Sequence, residues 1–405
     1  MAYAAVFAFA LALRAVYDFE LHGTLLFTEL FGDGQQYDAW AREIAAGDWL
    51  GREVFYQAPL YPYFLGALYA LGGPHLALVR AVQAVLGAGA CALVAWTGER
   101  WFGRAAGICA GVLVALHPPA IFFDGLVQKS SLDLFLTAAL LALLTAFRGR
   151  PRAAPVAAAG TVLAALTLNR ENARVLYAIV LPWLALGFPG LPALRRAGFA
   201  LAFLAAAACV VLPVAWRNHR IGGEWLTSTS QLGPNLWMGN HAGASGLYEP
   251  LVEGRGDARA ERLDAARLAE EATGRKLTPG EVSDYWVDRV AEFVRTDPVA
   301  WLRLLAWKTY LTFHGYELAD SESFHVFAER SRLLRVLAPW LGFGALWPLA
   351  VLGVWATRQR ARELALLYGV IAALGLAVAL FFVFARYRYP MVAPLALFAG
   401  AAITP

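Results

Sequence analysis

The 405-residue chain is 59% hydrophobic and only 16% charged, with a formal net charge of +4. Soluble domains run nearer half apolar and a quarter charged, so this composition excludes an ordinary soluble domain and indicates an integral membrane protein. The small cationic excess is read as topology and not as a nucleic-acid surface, because its arginines fall in short loops between apolar runs.

Crossing a bilayer takes about 20 apolar residues, range about 17–25. Runs of that kind occupy 2–18, 75–97, 105–122, 130–147, 153–169, 173–189, 197–215, 338–356, 363–385 and 388–404. They predict an all-α polytopic protein with ten spans. The first run has neither a basic leader nor a small-residue cleavage site, so it reads as a retained helix. Arg100 and Arg104, then Arg148, Arg150 and Arg152, then Arg195 and Arg196, and finally Arg358, Arg360 and Arg362 all fall on one side if the spans alternate. The positive-inside rule makes that side cytoplasmic. The loop 19–74, the turns near 117–129, 169–174 and 386–388, and the long segment 216–337 then face outward. The organisation is an N-terminal transmembrane region (1–215), an outer helical segment (216–337) and C-terminal transmembrane helices (338–405).

Within the first outer loop, 33–46 reads as an amphipathic helix with Tyr37, Trp40 and Ile44 on one face. Asp33 opens it and is open to three readings, a helix cap with Gln36 three residues on, a solvated loop charge or a catalytic base at the membrane surface. Next, "HPPAIFFDGLVQKSSLDLF" breaks the third span at Pro118 and Pro119. It sets Asp124 and Gln128 on one helical face beside Lys129. Ionisable groups so close to hydrocarbon usually face a cavity or a partner, although Lys129 can also snorkel to the headgroups. In "LTLNRENARVL", Glu171 reads as a local partner for the neighbouring arginines, which include Arg170.

Further on, 216–337 is expected to be helical over "ARAERLDAARLAEEATG" and "TPGEVSDYWVDRVAEFVRTD". The second stretch opens on a capping box from Thr278 to Glu281. "DPVAWLRLLAWKTYLTFHG" mixes aromatic and basic residues in the manner of a helix lying in the interface. The whole segment is expected to cap the outer face, with "STSQLGPNLWMGNHAGASG" near the site. At "RYRYP", Arg386 and Arg388 bracket Tyr387 between two spans. Their forked donors suit phosphate oxygens, and an interfacial anchor is the other reading. Three cysteines inside apolar runs and seven histidines without HxxxH spacing give no disulfide framework and no zinc site. Carboxylates at 33 and 124 and cations at 129, 170, 386 and 388 thus share one predicted membrane face.

Taken in order, "GDGQQYDAWAREIAAGDW", "YQAPLYPYFLGALYALGG", "HPPAIFFDGLVQKSSLDLFL", "LNRENA", "WRNHRIGGEWLTSTSQLGPNLWMGNHAGASGLYEP", "DPVAWLRLLAWKTYLTF" and "RYRYPMVAP" give a chain that resembles the polytopic GT-C glycosyltransferases. The likeness is to bacterial relatives of the family-39 protein mannosyltransferases and aminoarabinose transferases. It implies a GT-C transmembrane helix bundle with outward-facing helical loops. It also implies an inverting transferase that takes a sugar from a polyprenyl-phosphate donor at the outer face of the cytoplasmic membrane. In that frame Asp33 matches the first-loop acid that serves as base or acceptor ligand, Asp124 the second acidic position, Lys129 the lysine after it, and Arg386 a basic position near the donor phosphate. Arg170 and Arg388 join the phosphate-binding candidates. Tyr37, Gln57, Tyr61 and Asn240 are the substrate-binding candidates. The first loop reads "GDG" where the family commonly has a paired "DE", and Ser130 stands where an acid often follows the lysine, so a divalent metal stays open as a cofactor. The acceptor, whether protein, lipid or glycan, is not fixed. A transporter or flippase of a lipid-linked glycan is the competing class, although transporters set charges near the midplane within paired repeats.

Overall fold

In the computed structural model, which describes residues 1–404, helices follow one another along the whole chain, and no strand occurs among those residues. The central element is the Leu76–Phe102 helix, which packs on Ala2–Leu21, Arg104–Leu116 and Ser130–Gly149. Val392–Ile403 is wedged between Arg104–Leu116 and Phe343–Ala356, and Ala153–Asn169 lies along Ala193–Gly222. Small residues make these approaches close, as expected where lipid supplies no hydrophobic drive between helices. A Cβ on Gly160 would strike the Phe203 carbonyl, one on Gly353 the Phe398 carbonyl, and one on Gly400 the Ala106 carbonyl.

Five helices are long and apolar enough to cross a membrane: Ala2–Leu21, Leu76–Phe102, Ser130–Gly149, Ala193–Gly222 and Arg332–Ala356. A sixth span results if Arg104–Leu116 and Pro118–Gly125 count together across their 54° bend. The protein is therefore a multi-pass membrane protein. The ten apolar runs are nearly all helical, but several fall short of full spans for local reasons. Pro118 and Pro119 start a new helix after His117. The polar "ENARVL" takes a 3-10 path over Glu171–Leu176 and leaves only Tyr177–Leu186 as α-helix. The last run begins with the short turns Ala385–Arg388 and Tyr389–Met391.

The arginine-rich loops gather at one end. Arg148 pairs with Glu363, Arg360 donates to the Trp101 carbonyl at 2.7 Å, and Arg148 lies over the Trp101 ring. Lys129 immediately precedes the 20-residue Ser130–Gly149 helix and Arg148 lies near its other end. At 1.5 Å per residue these ends are about 30 Å apart, a full hydrocarbon thickness. The grouping that orients the sequence is thus preserved in three dimensions.

Segment 216–337 forms a helical subassembly at the Lys129 end. Ala258–Thr273 is capped by Asp257, and Pro279–Thr296 carries the expected Thr278–Glu281 capping box. They bury Ala265, Ala269, Val282 and Trp286 between them. The helix expected to lie in the interface, Pro298–Phe313, departs from that picture at Lys308. Its ammonium does not snorkel: it is buried and donates to the Gly239 carbonyl at 2.7 Å, Asn240 Oδ1 at 2.8 Å and the Phe381 carbonyl at 2.9 Å. A helix that ends against irregular backbone must supply donors for stranded carbonyls, and Lys308 does so for two turns at once.

Gly353→Val tests the close packing. The added isopropyl group would push Phe343–Ala356 off Val392–Ile403, and overpacking of this kind costs about 1–3 kcal/mol. A thermal melt of the detergent-purified protein should show a clear fall in Tm.

Candidate active site

Three segments of the chain converge on Arg386. Asp33 is the first residue of the Asp33–Ala45 helix, whose N-cap is Gly32. Gly32 has φ +51°, and a Cβ there would collide with Ser321, so glycine lets the helix start directly beneath the 319–322 loop. The capping alternative for Asp33 does not hold, because its side chain makes no cap bond. Asp33 Oδ1 accepts from Gln57 Nε2 at 3.0 Å and Oδ2 accepts from Arg386 Nη1 at 2.7 Å. On the other side of the guanidinium, Arg386 Nη2 lies 2.7 Å from Asp320. Arg386 is 8% exposed, and its Nε is buried with no hydrogen-bond partner among the described residues.

Lys129 completes the cluster. Gln128 Oε1 accepts from its backbone N–H, and its carbonyl accepts from Asn169 Nδ2. Its side chain, 9% exposed, lines the same cavity as Asp33, Gln57, Asp320 and Arg386. No carboxylate pairs with that ammonium among the described residues. The cavity has a volume of about 90 Å³. Its other walls come from Gln231, Asn235, Tyr248 and Glu261, so the 216–337 segment does reach Asp33. Glu261 accepts a hydrogen bond from the Tyr248 hydroxyl.

The charges tune one another. Burial alone would raise the Asp33 carboxyl, but Arg386 and Lys129 outweigh it and hold the group below the usual carboxylate range. Burial drives Asp320 upward, and the nearby Asp33 charge adds to this against the pull of Arg386. Burial also lifts Glu261 to about 7 and Glu322 to about 8. Lys129 moves the other way, drawn down to about 8 by burial and then by repulsion from Arg170 and Arg386. The site therefore holds one firmly ionised carboxylate, two cations with spare donors, and a rim of acids that ionise with difficulty.

Of the sequence candidates, Asp33, Gln57, Lys129 and Arg386 meet at this cavity. Arg170 stands behind it: its Nε donates to Asp133 at 2.6 Å and its guanidinium lies 5.1 Å from the Tyr387 ring. Asp133, and not Glu171, is thus its partner. Glu171 instead accepts from Ser228 at 3.0 Å and Gln231 at 2.8 Å. Tyr37 is fully buried against Tyr61, with no partner for its hydroxyl among the described residues.

The remaining candidates lie elsewhere. Asp124 does not share a helical face with Gln128, because the helix ends at Gly125. Its carboxylate accepts from Arg14 Nε at 2.6 Å, with both side chains 1% exposed. Arg388 closes the end of the Pro298–Phe313 helix: it donates to the Thr312, His314 and Tyr316 carbonyls and pairs with Glu317 at 3.0 Å. Tyr61 donates to Gln83 at 2.6 Å inside the bundle. Asn240 receives Lys308 and Trp301 and donates to the Leu380 carbonyl. None of these four lines the cavity, and each finds partners internal to the fold, as buried polar groups must. The residues missed were Asp320, Glu322, Tyr248 and Glu261. The only hint was the acidic "ADSES" in the outer segment.

Comparison with solved structures follows the same lines. The Archaeoglobus fulgidus oligosaccharyltransferase, in its complex with Zn and sulfate, aligns over 98% of this chain and 48% of its own, with a TM-score of 0.58 and 14% identity. The same organism's oligosaccharyltransferase AglB, in complex with an inhibitory peptide and a dolichol-phosphate, aligns over 99% and 50%, with a TM-score of 0.53 and 14% identity. ArnT from Cupriavidus metallidurans bound to undecaprenyl phosphate also aligns, over 98% and 77%, at 16% identity and a TM-score of 0.44. This chain spans about half the length of the oligosaccharyltransferase chains it matches. No protein-family model and no curated protein matches the sequence. The fold is the one this chain shares with about half of the chain in the Archaeoglobus fulgidus oligosaccharyltransferase structures.

The Arg14–Asp124 pair offers a direct check on this sorting. Asp124→Asn would strand a buried cation, and breaking such a pair costs about 3–5 kcal/mol. The expected result is a large fall in Tm with turnover per folded molecule preserved. Unchanged Tm with lost turnover would return Asp124 to the chemistry.

Proposed function

We propose that this protein transfers a sugar from a polyprenyl-phosphate donor to a hydroxyl or amine acceptor, with inversion, at the membrane face where Asp33 and Arg386 meet. The observation that carries this reading is a cavity at the end of an apolar bundle that holds two buried cations with unused donors beside an ionised carboxylate. A lipid phosphate is both apolar and anionic, and its leaving group is already a stable anion. It needs cations more than a proton donor. The dolichol-phosphate seen with the similarly folded archaeal enzyme is in keeping with this chemistry.

In the proposed reaction, Lys129 and the free Arg386 Nε–H receive the donor phosphate. Charge-assisted bonds of this kind are about twice as strong as neutral ones. The acceptor attacks the anomeric carbon from the face opposite the phosphate. The C–O bond to phosphate breaks with its electron pair remaining on the phosphate oxygen, where the two cations stabilise it. The acceptor proton passes to Asp33. While Arg386 is shared with Asp33, that carboxylate is a weak base. As the guanidinium turns toward phosphate, the restraint on Asp33 relaxes and its proton affinity rises, so donor binding prepares the base. Gln57 keeps the carboxylate aimed throughout.

A divalent ion is not needed for this scheme. Among the described residues no three His, Cys, Asp or Glu side chains converge as a ligand set. Asp33 and Asp320 are joined instead through Arg386, so the guanidinium occupies the position between carboxylates that a cation would take. The proposed location is the cytoplasmic membrane with the site outward, supported by the arginine loops at the opposite end.

Asp33→Asn keeps the shape and the Gln57 contact but removes the base. Turnover of a synthetic polyprenyl-phosphate sugar should fall by about 10²–10⁴-fold with donor binding retained. Near-normal turnover in that variant would overturn the assignment. The pH dependence follows from Lys129. Its pKa is lowered to about 8, so the cation is fully present below that value and is lost as pH rises through it. kcat/KM for the donor, which reports the free enzyme, should therefore decline above about pH 8. Lys129→Arg should carry that decline to higher pH.

A further inference from the structure

We propose that the cleft between the Tyr177–Leu186 and Ala365–Leu380 helices binds the acyl chain of an anionic phospholipid, with Arg362 and Arg148 holding the headgroup phosphate. The site is independent of the catalytic cavity and of the function assigned to it. The cleft has a volume of about 500 Å³, within the roughly 300–1,000 Å³ of ordinary ligand pockets. Arg148, on its rim, sits at the end of the Ser130–Gly149 helix opposite Lys129, about 30 Å away along that helix.

Local sequence explains why a gap exists. The run that should have paired along Ala365–Leu380 spends its first residues on the 3-10 turn Glu171–Leu176, and its 10-residue helix contains Pro182. Gly369 lets the two helices touch: a Cβ there would lie 2.8 Å from Ile179. Beyond that contact they part, and Pro182, Trp183 and Leu366 line an apolar wedge. In a bilayer such a wedge fills with hydrocarbon.

The mouth selects the headgroup. Arg148 and Arg360 both pair with Glu363, and Arg362 has no ion-pair partner among the described residues. Two guanidiniums therefore share one carboxylate, and Arg362 on the same cleft is left without an acid among the described residues. Arg148 is further fixed over the Trp101 ring at 4.0 Å and Arg360 on the Trp101 carbonyl, which leaves preoriented donors for a phosphate. Basic pockets between transmembrane helices are known to take anionic headgroups. Occupancy would brace Tyr177–Leu186, which continues directly from Glu171, the acceptor for Gln231 on the wall of the catalytic cavity.

Trp183, on the cleft wall, serves as the reporter. The full chain is reconstituted in phosphatidylcholine vesicles carrying increasing fractions of acyl-brominated phosphatidylglycerol or acyl-brominated phosphatidylcholine. Fluorescence quenching is taken as the difference between the chain and Trp183→Phe. The anionic lipid should reach half-maximal quenching at about fivefold lower mole fraction, the effect expected of one arginine near an anionic surface. Arg362→Gln should abolish that preference, Arg362→Lys should retain most of it, and Arg195→Gln, at the same end but outside the cleft, should leave it unchanged. Equal quenching by the two lipids would mean ordinary annular lipid and overturn the proposal. So would a preference that survives Arg362→Gln, or the absence of any quenching specific to Trp183.

Discussion

Arg386 held between Asp33 and Asp320 is the interaction on which the site depends. A guanidinium withdrawn from water costs several kcal/mol unless carboxylates answer it, and these two come from segments far apart in the chain. Asp33 begins the first-loop helix, Asp320 belongs to the outer segment, and Arg386 lies in the turn between the last two apolar helices. One charge thereby pins three pieces of chain against each other. Because two acids share a single fork, Arg386 keeps an unused N–H, and the neighbouring Lys129 has no ion-pair partner among the described residues. The arrangement is closed enough to hold its shape and one anion short of being satisfied.

The other buried ion pairs behave differently. Arg14 with Asp124, Arg170 with Asp133 and Arg388 with Glu317 each set one cation against one acid within the fold, although each of these arginines also keeps a buried nitrogen without a hydrogen-bond partner among the described residues. These pairs secure irregular backbone. Arg388 collects the carbonyls that end one helix, Lys308 those of two turns, and Gln83 the Asp124 and Leu126 carbonyls at the break after Gly125. Non-helical backbone at membrane depth persists only where it is buried in protein or lines a water-filled cavity, and these contacts supply its partners from within the protein.

Much of the architecture was written locally. Apolar runs gave the helices, Pro118 and Pro119 gave the bend, Thr278 and Glu281 gave a helix start, and the arginine clusters gave one end of the bundle. Asp33, Gln57, Lys129 and Arg386 were also recognisable, because polar residues at the ends of apolar runs stand out and their order along the chain resembles a known one. The full count of spans was not legible, since hydropathy does not register where a polar stretch such as "ENARVL" tightens into a 3-10 turn.

What only the tertiary structure decided was which charges already have partners. Asp124 and Lys129 look alike in sequence, two ionisable residues near hydrocarbon, yet Asp124 meets Arg14, 110 residues away, and Lys129 has no ion-pair partner among the described residues. Ion pairing is a matter of a few ångströms between segments whose separation along the chain says nothing about their distance in space. The sequence therefore determined the fold class, the gathering of arginine loops at one end of the bundle and the chemical kinds at the other. The tertiary contacts determined which of those groups remain free to act, because a buried charge is available to a ligand only when the fold has left it unanswered.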